Sequence, residues 1–262
     1  MNVLIIGDIV GNPGREAVRA LVPQLRRRHA LDLVVANCEN VAGGAGVTPK
    51  TAQELLGYGV DLLTSGQHIW RHKEIGPYLN QEPRLIRPAN YPAGAPGSGA
   101  AVVEARDGTR VGVLNLVGRV FLETVDCPFR VGSREVERLR RETSAILVDM
   151  HAEATSEKVA MGWHLDGQVS AVVGTHTHIQ TADERILPKG TAYLTDLGMT
   201  GPYDSVIGRR VDQILERFLT GLPQRFEVPE GNVILCGALI EIDGKTGCAQ
   251  RIERVQERLL PF

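Results

Sequence analysis

Short apolar runs rich in Val, Ile and Leu recur along the chain, each of strand length and each closed by glycine or polar residues. Five read as buried strands: residues 3–7, 33–36, 60–64, 145–150 and 169–174. Helical periodicity lies between several of them. Pro13 stands near the start of a segment in which Ala17, Val18, Leu21, Val22 and Leu25 share one face. Arg26, Arg27 and Arg28 close that segment, where cations complement the helix dipole. Thr48-Pro49 opens a second helix running to Gly57, and residues 133–141 read as a third.

Three further stretches predict antiparallel pairs. Residues 99–105 and 110–117 flank Asp107-Gly108-Thr109, a hairpin signal. Residues 185–187 and 191–194 flank Pro188-Lys189-Gly190, and residues 232–242 and 248–256 surround the turn 243–247. Crossover-connected strands mixed with antiparallel pairs predict a mixed-strand sandwich covered by helices, not a purely parallel sheet. No internal repeat or linker divides the 262 residues, so one domain over 1–262 is expected. The least regular stretch, 118–132, is expected to form an inserted cap.

Composition narrows the function. Lys plus Arg is 29 and Asp plus Glu is 31, a net charge of −2 that argues against broad nucleic-acid binding or a polybasic membrane surface. A small nucleotide or a short RNA end is still compatible with it. No run approaches the roughly 18 apolar residues of a membrane span, and Met1 leads directly into a strand. Cys38, Cys127, Cys236 and Cys248 are scattered without a CxxC pair, as expected of reduced thiols in a cytoplasmic protein.

The chemistry follows the strands. The first run ends in Gly7-Asp8, the second in Asn37-Cys38-Glu39-Asn40 and the third in Ser65-Gly66-Gln67-His68. The fourth leads to His151, and the fifth to Gly174-Thr175-His176-Thr177-His178. Ligand sites in α/β proteins gather beyond the carboxyl ends of strands, so these side chains are expected on one rim. Carboxylate, amide oxygen and imidazole suit manganese, iron or zinc, and the lack of nearby cysteines disfavours a structural zinc site. A spacing of two would aim His176 and His178 the same way in extended backbone. The donors are too many for one ion, and Glu39 is suited to bridge two.

Each residue alone has a plainer reading. Asp8 could cap a helix, Glu39-Asn40 could be a solvated loop, and His151 or the His176/His178 pair could be structural. Five such coincidences at equivalent positions are harder to accept than one metal site. A Rossmann-type oxidoreductase is the rival: Gly7, Gly11 and Gly14 open a helix after the first strand, and Glu39 ends the second. The spacing is not GxGxxG, however, and the histidines would have no task. Gly43-Gly44-Ala45-Gly46 reads as a flexible turn, His29, His72 and His164 as surface residues, and Trp70 as packing. Arg119 and the loop 195–208 are candidate substrate contacts.

Taken together, Gly7-Asp8, Asn37-Cys38-Glu39-Asn40, Gly66-Gln67-His68, His151 and Gly174-Thr175-His176-Thr177-His178 resemble the calcineurin-like metallophosphoesterases, and among them the YmdB-like bacterial branch. Gly118-Arg119-Val120-Phe121, Asp126-Cys127-Pro128-Phe129 and residues 195–208 extend the likeness. The resemblance implies a four-layer αββα sandwich, two mixed sheets flanked by helices, with a di-metal centre at one end. It places Asp8, Glu39, Asn40 and His178 on one metal and Glu39, Gln67, His151 and His176 on the other. His68 is left as the uncoordinated general acid. It also implies a phosphodiesterase acting on 2′,3′-cyclic nucleotides or a short RNA-derived phosphodiester, with iron or manganese and zinc as an option. A hydroxide bridging the two cations would attack phosphorus, since paired cations lower the pKa of water and bind the non-bridging oxygens.

Two positions depart from the pattern. Val10 stands where the superfamily has histidine, a loss that Asn40 offsets, and Gln67 stands where asparagine is usual. The extra methylene of Gln67 adds side-chain freedom, and its carbonyl oxygen is still expected to ligate. A phosphomonoesterase on the same site and a non-catalytic regulatory or RNA-interacting protein are the alternatives, and a homo-oligomer is compatible with either.

Overall fold

The apolar runs and amphipathic segments resolve into two sheets. The computed structural model describes residues 1–260. The chain opens with β1 (Asn2–Ile6), β2 (Asp8–Ile9), α1 (Gly11–Arg28), β3 (Leu33–Asn37), α2 (Pro49–Gly57) and β4 (Leu62–Thr64). A 3₁₀ turn (Gln67–Arg71) and α3 (Ile75–Leu79) lead to β5 (Ala100–Glu104), β6 (Arg110–Val117), α4 (Pro128–Leu139), β7 (Ala145–His151), α5 (Thr155–Leu165) and β8 (Ala171–Thr175). The chain continues through β9 (Arg185–Ile186), β10 (Ala192–Leu194), β11 (Met199–Pro202), α6 (Val211–Thr220), β12 (Val233–Ile242) and β13 (Ala249–Arg258).

The first sheet runs β2-β11-β12-β1-β3-β4, with β13 also paired to β12, and the second runs β5-β6-β7-β8-β10-β9. Both are mixed. β1, β3 and β4 are parallel and β12 is antiparallel to β1, while β6, β7 and β8 are parallel and β5 is antiparallel to β6.

Alternation along each strand builds the layers. Val3, Ile5, Leu33 and Val35 face Val111, Val113, Leu147 and Val173 across the space between the sheets. Their neighbours Leu4, Ile6, Val34 and Ala36 face outward onto Val18, Val22 and Leu25 of α1 and Leu55 of α2. On the far side Leu116, Ile146 and Val148 pack against Val131 and Val136 of α4 and Met161 of α5. Both faces of each sheet are therefore covered, which is why the central strands read as continuous apolar runs. The expected αββα sandwich is the observed fold.

Helix α4 begins at Pro128, five residues before the expected start at 133, and ends at Leu139. Pro128 occupies its first turn, where a missing N–H costs nothing, and Val131 and Gly132 are already buried in it. Residues 118–127 have no helix or strand, so the irregular stretch is shorter than 118–132. Helix α5 is hard to read from periodicity because it buries Glu157 and Lys158 beside Met161 and Leu165. All four cysteines are free, and among the described residues no helix is long and apolar enough to cross a membrane.

Candidate metal centre

The strand ends of both sheets meet along one rim. Asp8 lies in β2 directly after β1, Glu39 and Asn40 follow β3, and Gln67 and His68 start the 3₁₀ turn after β4. From the second sheet, His151 is the last residue of β7, and His176 and His178 follow β8. All eight residues singled out in the sequence thus converge. Glu39, Asn40, His68, His176 and His178 line an open cleft of about 260 Å³, with His151, Asp8 and Glu39 buried beneath it.

The contacts are close. His151 Nε2 lies 3.1 Å from Glu39 Oε2 and 3.0 Å from His176 Nδ1. Asn40 Nδ2 is 3.1 Å from His178 Nε2, and Gln67 Nε2 is 3.4 Å from His176 Nδ1. Asp8 Oδ1 approaches His178 Nε2 at 3.8 Å.

A second tier of residues decides which ring nitrogen faces inward. His151 donates through Nδ1–H to Thr175 Oγ1 (2.8 Å), and Thr175 in turn donates to Asp149 Oδ1 (2.7 Å). His178 donates through Nδ1–H to the carbonyl of Ile207 (3.0 Å). His176 is turned the other way, donating through Nε2–H to Glu153 Oε2 (3.0 Å). One nitrogen of each ring is committed outward, which leaves the other facing the shared centre. Metal-binding histidines are oriented in this way.

His176 and His178 do not reach the centre by strand alternation. Their φ angles are 99° and 66°, so the backbone after β8 is left-handed at both, an uncommon conformation for non-glycine residues. The intervening Thr177 is clamped instead: its N–H (3.2 Å) and hydroxyl (2.7 Å) both donate to Asp196 Oδ2. Asp196 is neutralised by buried Lys158 (2.7 Å). The turn departs from extended geometry because this ion pair holds it. Gly66 completes the cradle, since a Cβ there would fall 2.0 Å from Glu39 Oε2 and 2.4 Å from His151.

The donor set fits a metal on two observations. Asp8 Oδ1 and Gln67 Oε1 are buried acceptors with no hydrogen-bond donor, a costly state that a cation relieves. Ligand atoms of Glu39, His151 and His176 also lie within 4.8 Å of one another. The electrostatics agree. Burial pushes Asp8 up to about 6. Burial also opposes ionisation of Glu39, yet His151 and His68 hold it well below the usual carboxylate range. Burial favours neutral His151, but Glu39, Asp8 and Asp149 outweigh it and raise the ring to about 9. His176 falls to about 3 through burial and the charge of His151. Without a cation, the protons on His151 balance the carboxylates.

His68 stands apart. Its side chain is 40% exposed, and its Nδ1 lies 2.9 Å from Asn40 Oδ1 and 3.1 Å from Glu39 Oε1. Other sequence expectations change. Arg119 does not line the cleft, and its backbone N–H binds Glu157 (3.0 Å). From the loop 195–208 only Ile207 lines the cleft. The Gly43–Gly46 turn is not free, because the carbonyls of Gly43 and Gly44 accept from Arg209. His72 is half-buried and bonds the Ala45 carbonyl (3.2 Å), whereas His164 is exposed as expected and bonds Ser133 (2.8 Å). Trp70 packs edge-on against Tyr91, as packing predicts. Gly7 and Gly14 admit a neighbouring strand instead of a dinucleotide: a Cβ at either would lie 1.9 Å from Gly198 O or 2.4 Å from Thr200 O.

Sequence reasoning missed Asp149, Glu153, Lys158 and Arg209, and it took Asp196, within the loop 195–208, for part of a substrate contact instead of the clamp on Thr177. Two of these had a visible signal, since Asp149 interrupts a buried apolar run and Lys158 sits on the buried face of α5. The others are placed by contacts remote in sequence.

Two facing mixed sheets, helix-covered, with Asp, Glu, amide and His donors gathered at their strand ends, define a metallophosphoesterase. The chain belongs to the YmdB-like protein family, whose model matches residues 4–255. It is 49% identical over 255 residues to a 2′,3′-cyclic-nucleotide 2′-phosphodiesterase of Bacillus subtilis, covering 97% of this chain and 96% of that protein. Two crystal structures share the fold at a TM-score of 0.92. One is a hypothetical protein from Thermus thermophilus, 42% identical, covering 98% of this chain and 99% of the other. The second is a novel phosphatase from Mycoplasma pneumoniae, 33% identical, covering 98% and 93%.

Proposed function

We propose that this protein is a two-metal phosphodiesterase that opens 2′,3′-cyclic nucleotides to nucleoside 3′-phosphates. The observation that carries the reading is the inward convergence of His151, His176 and Glu39, their outward valences already committed to other groups. The Bacillus relative supplies the substrate class.

In this reading Asp8, Glu39, Asn40 and His178 hold one cation and Glu39, Gln67, His151 and His176 the other. Iron or manganese suits these donors best, and zinc is compatible with them. Bound there, the pair supplies Lewis acidity that activates water and draws charge off the phosphoryl oxygens. The chain's own residues do the rest. Water oxygen joins phosphorus, the P–O2′ bond breaks, and O2′ needs a proton. His68 gives its Nδ1–H to Asn40 and Glu39, which leaves Nε2 as the nitrogen that carries a proton to the cleft. That ring hands its proton to O2′ at the cleft mouth. The chain acts as one domain, and its four free thiols suit the reducing cytoplasm.

The test pairs elemental analysis of the natively purified protein with a panel of 2′,3′-cyclic nucleotides, 3′,5′-cyclic nucleotides, linear diesters and monoesters. Turnover of the 2′,3′-cyclic substrates to 3′-phosphates, with about two metals per chain, is expected. A metal-loaded protein that cleaves monoesters and no diester would overturn the reading in favour of a phosphomonoesterase.

A further inference from the structure

One charged side chain in the cleft has no part in the centre described above. Beside the candidate ligands and His68, the cleft is lined by Val10, Gly44, Glu153, Thr177, Ile207 and Arg209. Glu153 is engaged with His176, which leaves Arg209 as the one Lys or Arg among the described residues that lines the cleft. Among the described residues it forms no ion pair. Its guanidinium donates only to the carbonyls of Gly43 and Gly44, which are neutral.

The chain is built to hold it there. Gly44 has φ +90°, and a Cβ at that position would lie 2.2 Å from Arg209 Nη1, so only glycine admits this approach. The glycine-rich turn that had no role in the metal centre is thus the seat of a guanidinium. Burial lowers the pKa of Arg209, with no carboxylate near enough to raise it again. A guanidinium has five N–H donors in a fork suited to phosphate, and the two carbonyls leave donors to spare.

We propose that Arg209 is a specificity-determining residue that binds a second phosphate of the substrate, which makes the substrate class RNA ends carrying both a terminal 2′,3′-cyclic phosphate and a phosphate on the 5′ side. This rests on the phosphodiesterase reading above. A cyclic phosphate has one negative charge, and the metal centre accounts for it. A further cation in the same cleft matches a further anion.

The test compares three substrates on the manganese-loaded protein: adenosine 2′,3′-cyclic phosphate, the same nucleotide with a 5′-phosphate, and an adenylate dinucleotide with a 2′,3′-cyclic end. The wild type should favour one or both of the last two by roughly tenfold in kcat/KM, through KM, and the advantage should shrink with added salt. Preference for the 5′-phosphorylated mononucleotide alone marks a terminal phosphate as the ligand, and preference for the dinucleotide marks an internucleotide one. In R209A that ratio should collapse to about one, and R209K should retain part of it as a point charge. Absence of any preference in the wild type, or an R209A loss equal on all three substrates, would overturn the inference. Calorimetric binding of adenosine 3′,5′-bisphosphate against adenosine 3′-phosphate separates it from the parent reading. An Arg209-dependent advantage for the bisphosphate upholds the subsite even if no cyclic substrate is hydrolysed, and an equal affinity for both counts against it.

Discussion

His68 and His176 stand at the same cleft, and the proposed mechanism gives them opposite tasks because their partners differ. His176 gives one nitrogen to Glu153 and turns the other onto His151, which suits a ligand. His68 spends Nδ1 on Asn40 and Glu39 and stays 40% exposed, which suits a proton donor. His68→Ala should therefore keep its metals and lose about 10²–10⁴-fold in turnover. The loss should be smaller for aryl phosphodiesters, whose leaving groups need no proton. Elemental analysis beside kinetics on both substrate types checks this, and a variant stripped of metal would make His68 a ligand instead. Gln67 shows what residue type alone leaves open. Its amide was readable as a ligand, but the buried, unpartnered Oε1 is visible only with neighbours in place.

At the scale of elements, the step from β7 into α5 organises the site. Within residues 151–158, His151 faces the centre, Glu153 orients His176, Glu157 accepts the N–H groups of Arg119 and Val120, and Lys158 neutralises Asp196. The last pair is fully buried, and Asp196 also holds Thr177 between His176 and His178. Removing one partner leaves an uncompensated buried charge, so Lys158→Met should cost about 3–5 kcal/mol in denaturant unfolding. It should also weaken manganese binding, because the left-handed turn loses its clamp. Adding Asp196→Asn removes the stranded charge and should recover part of the stability but not the metal affinity. A Lys158→Met protein as stable as the wild type would refute this account of the turn. Periodicity located β7 correctly, yet a helix whose buried face carries Glu and Lys does not show the apolar stripe that marks α1.

At the scale of the whole molecule, the cluster of candidate ligands joins two sheets that otherwise meet through apolar contacts. Asp8, Glu39 and Gln67 come from one sheet and His151, His176 and His178 from the other, so cations bound as proposed would staple the sandwich at one end. Cations binding only the folded state raise its stability by mass action. Protons compete with them. In metal-free protein His151 keeps its proton to about pH 9, whereas the unfolded chain releases it near 6.5. The folded state thus binds more protons across that window. This contribution is full below pH 6.5 and is lost as pH rises to about 9. A cation requires the neutral ring and expels the proton, so the Tm gain from manganese should grow over the same interval. Thermal unfolding with EDTA and with manganese, pH by pH, reads both trends. A metal-free Tm that climbs between about pH 6.5 and 9, with a manganese increment that shrinks, would contradict the assignment.

Periodicity and punctuation were enough to read the layers, the hairpins, the starts of α1 and α2, and the eight side chains at the strand ends. These are local properties: a buried strand announces itself by composition, and a polar residue just beyond it has few other reasons to recur five times. What lay beyond the linear chain was relational. Which nitrogen of each histidine faces inward depends on Thr175, Ile207 and Glu153, and the left-handed turn at 176–178 depends on a Lys158–Asp196 pair 38 residues apart. Orientation of a ring and compensation of a buried charge arise only between groups that folding brings together, so no window of sequence contains them.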